Sequence, residues 1–216
     1  MKNSLKYFLF IIFFGLNTLQ SIKANEPFVF NVTEIEILEN GNQINGYKGG
    51  TAKSEDGSKI IAENFYYNKL TNILEAEGNV KYIDNTGNTT ITTDKAIYLK
   101  NEEKIFTKSN SKAENEDNTI VASNLEYDKI RNIYKAKGNA VVKDYKKDAI
   151  LYADQITYLK KEEKVFTKGK TKALVEKKYT FNSENVSYFR NSNKIFSQKK
   201  SSVEDDNGNI YTLDNF

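Results

Sequence analysis

The 216-residue chain has no cysteine, no histidine and no tryptophan, one proline and one methionine. Without cysteine there is no disulfide, thiolate nucleophile or sulfur-ligated metal site. Without histidine the commonest general base and metal ligand is missing. No Gly-rich phosphate loop follows a strand, and no metal-ligand cluster stands out. The adjacent pairs Glu102-Glu103 and Glu162-Glu163 are the remaining acid–base candidates. Both lie in polar stretches beside lysines and recur with a repeat, so they read as solvated turns with no partner to tune them. The expectation is a protein that is not an enzyme, with no catalytic residue, cofactor or metal.

An excess of one charge is also missing. The whole chain has 32 basic and 29 acidic residues, but Lys2, Lys6 and Lys23 precede the first acid. Beyond residue 24 the balance is 29 to 29, with the signs interspersed. A nucleic-acid reader needs a basic field or stripe, so nucleic acid is not an expected partner. Long apolar runs are lacking except at the start. Tyr7 to Leu19, about 13 residues after Lys2 and Lys6, is short for a membrane span of about 20. With Ala24 as the small residue at the cleavage point, residues 1–24 read as a secretory signal peptide. Ile22 fits the cleavage pattern poorly, and an uncleaved anchor is the alternative.

What is present is a repeat. Tyr67, Tyr98, Tyr127, Tyr158 and Tyr188 are spaced by 31, 29, 31 and 30 residues. Their flanks agree without gaps. Seven before each tyrosine stand Ile60, Ile91, Ile120, Leu151 and Phe181; five before, the small Ala62, Thr93, Ala122, Ala153 and Ser183. Two before stand Phe65, Ala96, Leu125, Ile156 and Val186. Seven after stand Leu74, Ile105, Tyr134, Val165 and Ile195; nine after, Ala76, Thr107, Ala136, Thr167 and Ser197. Eleven after come Gly78, Ser109, Gly138, Gly169 and Lys199. A second rhythm near sixty residues overlies this one. Tyr98 to Lys108 returns almost unchanged as Tyr158 to Lys168.

Within each unit apolar and small residues alternate with polar ones at period two, the mark of a half-buried strand. The parity shifts once before the tyrosine, which predicts a kink near Glu63-Asn64 and its equivalents. Polar turns at Asn68 to Asn72, Leu99 to Lys104 and Asp84 to Asn88 separate the strands. Lys129 falls in such a turn. Each unit of about thirty residues is then a pair of strands that buries its inner face only when stacked on its neighbours. The small inner residues fit either close packing of one sheet on another or a groove left open for an apolar ligand.

The pattern Ala62-Glu63-Asn64-Phe65-Tyr66-Tyr67 with Leu74-Glu75-Ala76-Glu77-Gly78-Asn79-Val80, and again Ala153-Asp154-Gln155-Ile156-Thr157-Tyr158, resembles the OstA-like domain of Gram-negative lipopolysaccharide-transport proteins. The resemblance covers about Phe28 to the end. It implies an all-β, repeat-built, twisted open β-jellyroll over residues 25–216, exported to the periplasm or the periplasmic face of the outer membrane. The implied ligand is lipopolysaccharide, with its acyl chains shielded in an apolar groove. The lining would be the repeat positions Ile60, Ala62, Phe65, Tyr67, Leu74, Ala76, Ile91, Ala96, Tyr98, Ile105, Ile120, Ala122, Leu125, Tyr127, Tyr134, Ala136, Leu151, Ala153, Ile156, Tyr158 and Val165. Such domains join edge to edge, so Phe30, Val32, Ile35 and Ile37 on the first strand are expected to form a docking edge for an LptA-like bridge protein.

Ile210 to Phe216 matches the opening of a further unit, with Leu213 at the place of Ala153 and Phe216 at that of Ile156. This favours the N-terminal part of an LptD-type assembly protein, whose partners would include its outer-membrane barrel and lipoprotein. A stand-alone LptA-type bridge protein is the alternative. A surface adhesin or structural β-repeat protein would share the export signal and the repeat.

Overall fold

The computed structural model describes residues 27–214. The expected signal peptide and Phe216 lie outside them. Among the described residues no helix is long and apolar enough to cross a membrane.

The period-two segments form strands joined into one antiparallel sheet. In chain order they are β1 (Phe28–Leu38), β2 (Gln43–Ser54), β3 (Lys59–Ala62), β4 (Asn64–Asn68), β5 (Ile73–Asp84) and β6 (Thr89–Leu99). Then follow β7 (Lys104–Lys108), β8 (Ser111–Glu114), β9 (Asn118–Ala122), β10 (Asn124–Asp128), β11 (Ile133–Asp144) and β12 (Ala149–Leu159). The last are β13 (Lys164–Val175), β14 (Tyr179–Glu184), β15 (Ser187–Phe189), β16 (Lys194–Phe196), β17 (Ser201–Glu204) and β18 (Ile210–Leu213).

The chain runs as a meander in which every long strand is bent at its middle. Some bends break the strand, as between β3 and β4 at Glu63 and between β9 and β10 at Ser123. Others are bulges. Gly78-Asn79 of β5 sits opposite Asp94 of β6, and Gly138-Asn139 of β11 opposite Asp154 of β12. Two residues against one bend the strand and sharpen its twist. Gly78 and Gly138 have φ of +80° and +84°, the left-handed region that glycine enters without Cβ strain. The bends fold the sheet into two facing layers. One contains β4, β7, β10, β15 and β16, and the other contains β3, β8, β9, β14, β17 and β18. The long strands contribute one half to each.

Inward side chains from both layers make a continuous apolar core from Phe28 to Tyr188. Phe28 of one layer meets Tyr67 and Tyr98 of the other edge-on at 5.2 and 5.7 Å, and Tyr127 stacks on Tyr134 at 4.6 Å. A fully buried side chain such as Phe65 or Leu74 contributes about 1.5–3 kcal/mol. Along the bend the small inner residues are alanines or hydrogen-bonded hydroxyls. The backbone N–H groups of Leu125 and Val186 donate to the hydroxyls of Thr107 and Thr167, both at 2.8 Å. Those hydroxyls satisfy amides that the broken strand leaves unpaired.

Candidate functional site

All twenty-one expected lining residues point inward and are buried. Most of them pack on one another, but Ala153 lines an open recess of about 720 Å³ beside Thr171, Ser183 and Ser201, and Ala122 lines one of about 390 Å³ beside Ser123 and Gly138. The gap between the layers beside Leu151, Tyr158 and Val165 holds only about 10 Å³. A larger recess of about 240 Å³ opens at the C-terminal end of the core, between Ala149, Leu151, Ala173, Tyr188 and Ile195.

The two long sides of this sandwich differ. One is the bend, where the chain itself joins the layers. On the other, the hairpin ends of both layers meet, and the contacts across it described below run through side chains. We call that side the mouth. The Tyr127 hydroxyl donates to Asp84 Oδ2 at 2.9 Å, the hydroxyls of Tyr134 and Thr89 lie 2.6 Å apart, and Lys160 Nζ donates to the Gly87 carbonyl at 3.0 Å.

Two ion-pair clusters lie among these contacts. In the first, Lys129 from the β10–β11 turn reaches the opposite layer. It pairs with Asp56, donates to the Ser58 hydroxyl at 2.9 Å, and stands 3.7 Å from both Asp84 and Glu103. Its side chain is only 12% exposed, so it is not the solvated turn residue expected. In the second, Arg190 Nε donates to Asp144 Oδ2 at 2.5 Å, and Nη1 donates to the Tyr158 hydroxyl at 2.7 Å and to Glu163 at 3.0 Å. The Arg190 and Asp144 side chains are 4% and 3% exposed.

Electrostatics follow from this placement. Burial works to raise the Asp84 carboxyl, but the Thr86 hydroxyl, the Gly87 amide, Lys129 and the Tyr127 hydroxyl outweigh it and hold it below the usual range. Asp56 is likewise held low against its burial, by Lys129, Ser54 and the Ser58 amide. Burial would weaken the Arg190 cation, yet Asp144, Tyr158 and Glu163 keep it firmly protonated.

The acidic pairs divide. Glu102 and Glu162 are exposed and bridge to Lys104 and Lys164, as solvated turns would. Glu103 and Glu163 do have partners: Glu103 accepts from Tyr98 and Lys100, and Glu163 from Arg190. Sequence reasoning missed the clusters, although a signal was there. The second residue after every marker tyrosine is basic: Lys69, Lys100, Lys129, Lys160 and Arg190. Asp84 and Asp144 stand sixty apart, in step with the longer rhythm.

The expected docking strand also divides. Phe30 and Val32 pack against the core, whereas Ile35 and Ile37 are 55% and 62% exposed. Among the described residues strand β1 pairs only with β2, and its other edge carries no strand. At the opposite end, among the described residues, β16 pairs only with β15, and β18 only with β17.

Among the described residues no group of His, Cys, Asp and Glu is arranged to hold a metal. Fold and site together define a repeat-built β-sandwich with two free edges and an apolar interior closed along one side by polar contacts. The chain belongs to the OstA-like protein family, whose model matches residues 29–184. Among solved structures it is similar to LptH, the LptA-homologous periplasmic component of the lipopolysaccharide transport device of Pseudomonas aeruginosa. That match has 12% identity and a TM-score of 0.48, and covers 58% of this chain and 93% of the other. It is less similar to the TCP10 domain of Danio rerio CPAP bound to a STIL peptide, with 8% identity, a TM-score of 0.17, and 82% and 96% of the two chains covered. At those values neither likeness bears on function. No curated protein matches the chain.

Proposed function

We propose that this protein is a periplasmic lipopolysaccharide-transport domain that carries acyl chains between its two layers. Membership of the OstA-like family supports the ligand class. The observation that carries the mode of binding is the continuous file of apolar side chains between layers that are chain-linked along one side only. Acyl chains inserted there would exchange water for apolar contact, at about 25 cal/mol per Å² buried. The free edges of β1 and of β16 and β18 would accept partner strands, with Ile35 and Ile37 covered by the incoming chain. That arrangement serves a bridge protein and the N-terminal part of an outer-membrane assembly protein equally, and makes the domain a carrier without chemistry of its own.

Photocrosslinking tests the reading. A photoreactive residue at Leu125, buried inside, should capture lipopolysaccharide, and one at the exposed Lys137 should not. Equal labelling, or none in folded protein, would favour a structural β-repeat protein, the second reading that the closeness of the core packing supports.

A further inference from the structure

The packed interior raises a problem for any carrier role. Between Leu151, Tyr158 and Val165 the gap is about 10 Å³, at the limit for a single water, so an acyl chain passes that part of the core only if the layers part. They cannot part at the bends, where the backbone runs through. They can part at the mouth, where side chains make the crossing. The strongest of those crossings are the two clusters built on Lys129 and Arg190.

We infer that the Lys129–Asp56–Asp84 and Arg190–Asp144–Glu163 clusters are latches that hold the mouth shut in the empty protein and must release before a ligand's apolar chains can enter. This rests on the carrier reading above and adds its control.

Three observations support it. Each latch joins turns from opposite layers through its aspartates: Lys129 to Asp56 and Asp84, and Arg190 to Asp144, cross the line of opening, while Glu103 and Glu163 hold the cations from their own layer. The Arg190 latch sits at the gap itself, whose lining includes Asp144 and Arg190 as well as Leu151 and Tyr158. The latches also recur with the longer rhythm: Arg190 stands where Lys129 stands two units earlier, Asp144 where Asp84 stands, and Glu163 where Glu103 stands. Each inner compartment of two units therefore has its own closure. Carboxylates outnumber cations in each latch: Asp56, Asp84 and Glu103 face Lys129 and Lys100, and Asp144 and Glu163 face Arg190. An anionic headgroup would meet surplus negative charge there, which suits a closure and not a headgroup site. A buried ion pair is well suited to such a task. Its attraction is offset by desolvation, so the closed state is specified without being made deep.

The cysteine-free chain makes the test direct. Asn85→Cys and Arg131→Cys place spin labels on exposed turns either side of the first latch. The unliganded protein should show one short, narrow distance, and adding Lys129→Met should lengthen and broaden it. An unchanged distance would overturn the latch, whatever the protein binds. In a second arm, Asp144→Cys and Arg190→Cys are joined by a cleavable bismaleimide in protein carrying the photoreactive residue at Leu125. Adducts with purified lipopolysaccharide should fall at least about tenfold when the mouth is clamped and return on cleavage. Equal adduct with and without the clamp would refute the latch. If the unclamped protein forms no adduct at all, the carrier reading fails, and the spin-label distances alone decide whether the mouth is latched.

Discussion

Arg190→Met isolates the energetics of the better-buried cluster. The change keeps much of the side chain's length and apolar volume but removes the charge, so the loss reports on the ion pair and not on a cavity. It leaves Asp144, whose side chain is 3% exposed, with the Lys147 amide still donating to it at 3.1 Å but no cation beside it, and leaves the Tyr158 hydroxyl without its guanidinium. Stranding one partner of a buried pair costs about 3–5 kcal/mol, a large part of a total stability of about 5–15 kcal/mol. Urea unfolding followed by far-ultraviolet circular dichroism should show the midpoint falling at nearly constant slope. Adding Asp144→Leu should recover most of the loss, because no charge then remains unpaired. Removing the exposed Lys48–Glu34 pair should change stability by no more than about 1 kcal/mol. A loss below about 1 kcal/mol for Arg190→Met would show that water reaches Asp144 and that the cluster is not a closed one.

Further outcomes follow from the core, the bends and the buried phenols. Leu125→Ala should cost about 2–5 kcal/mol in the same unfolding assay, since the side chain is buried between the layers and its loss leaves a cavity. Gly138→Ala should destabilise by about 1–2 kcal/mol, since φ is +84° and the new Cβ would stand 2.8 Å from the Ser123 hydroxyl. The reverse change at the equivalent position, Ser109→Gly, where φ is +65°, should raise the urea midpoint by relieving the same strain. Burial pushes Tyr158 and Tyr188 up to about 12, against the opposing pull of Arg190. The unfolded chain releases these protons near pH 10 and the folded chain does not, so their contribution is complete below about pH 10. It is lost as pH rises toward 12, by roughly 2–3 kcal/mol for each phenol, and alkaline unfolding should coincide with tyrosinate absorbance.

The strand pattern and the core were readable in the sequence because burial in a pleated strand is a property of one position at a time. Leu74, Ala76 and Tyr82 alternate with polar residues whatever lies opposite them, and five copies of the pattern remove chance. The kink at Glu63 was readable for the same reason, as a change of parity between Ala62 and Phe65. The closed mouth was not. It depends on which turn of one layer faces which turn of the other, and the twist sets that offset: Tyr127 meets Asp84 from 43 residues earlier and Arg190 meets Asp144 from 46. The repeat marks the basic residues and the aspartates, but no local period says which turn faces which. Lys129 and Glu103 looked like ordinary turn residues because lysine and glutamate usually are, and only the layer opposite makes them otherwise.

That offset also explains why the polar clusters recur every second unit and not in each. A two-strand unit supplies one hairpin end to each side of the mouth, but the even units, with Lys100 and Lys160 after the tyrosine, turn through a short 3-10 segment ending in left-handed Glu103 or Glu163. There the lysine is used within its own turn, as Lys100 is on Glu103, or crosses the mouth to a backbone carbonyl and not to a carboxylate, as Lys160 does to Gly87. The odd units lack that segment, and Asp128 instead caps its own turn by accepting from the Arg131 amide at 2.9 Å. This leaves Lys129 free to reach the carboxylates of Asp56 and Asp84 across the mouth. The same difference in turn chemistry that makes alternate units look distinct in sequence therefore decides where ion pairs join the layers. Lengthening the array by two units adds core and closure in the same proportion.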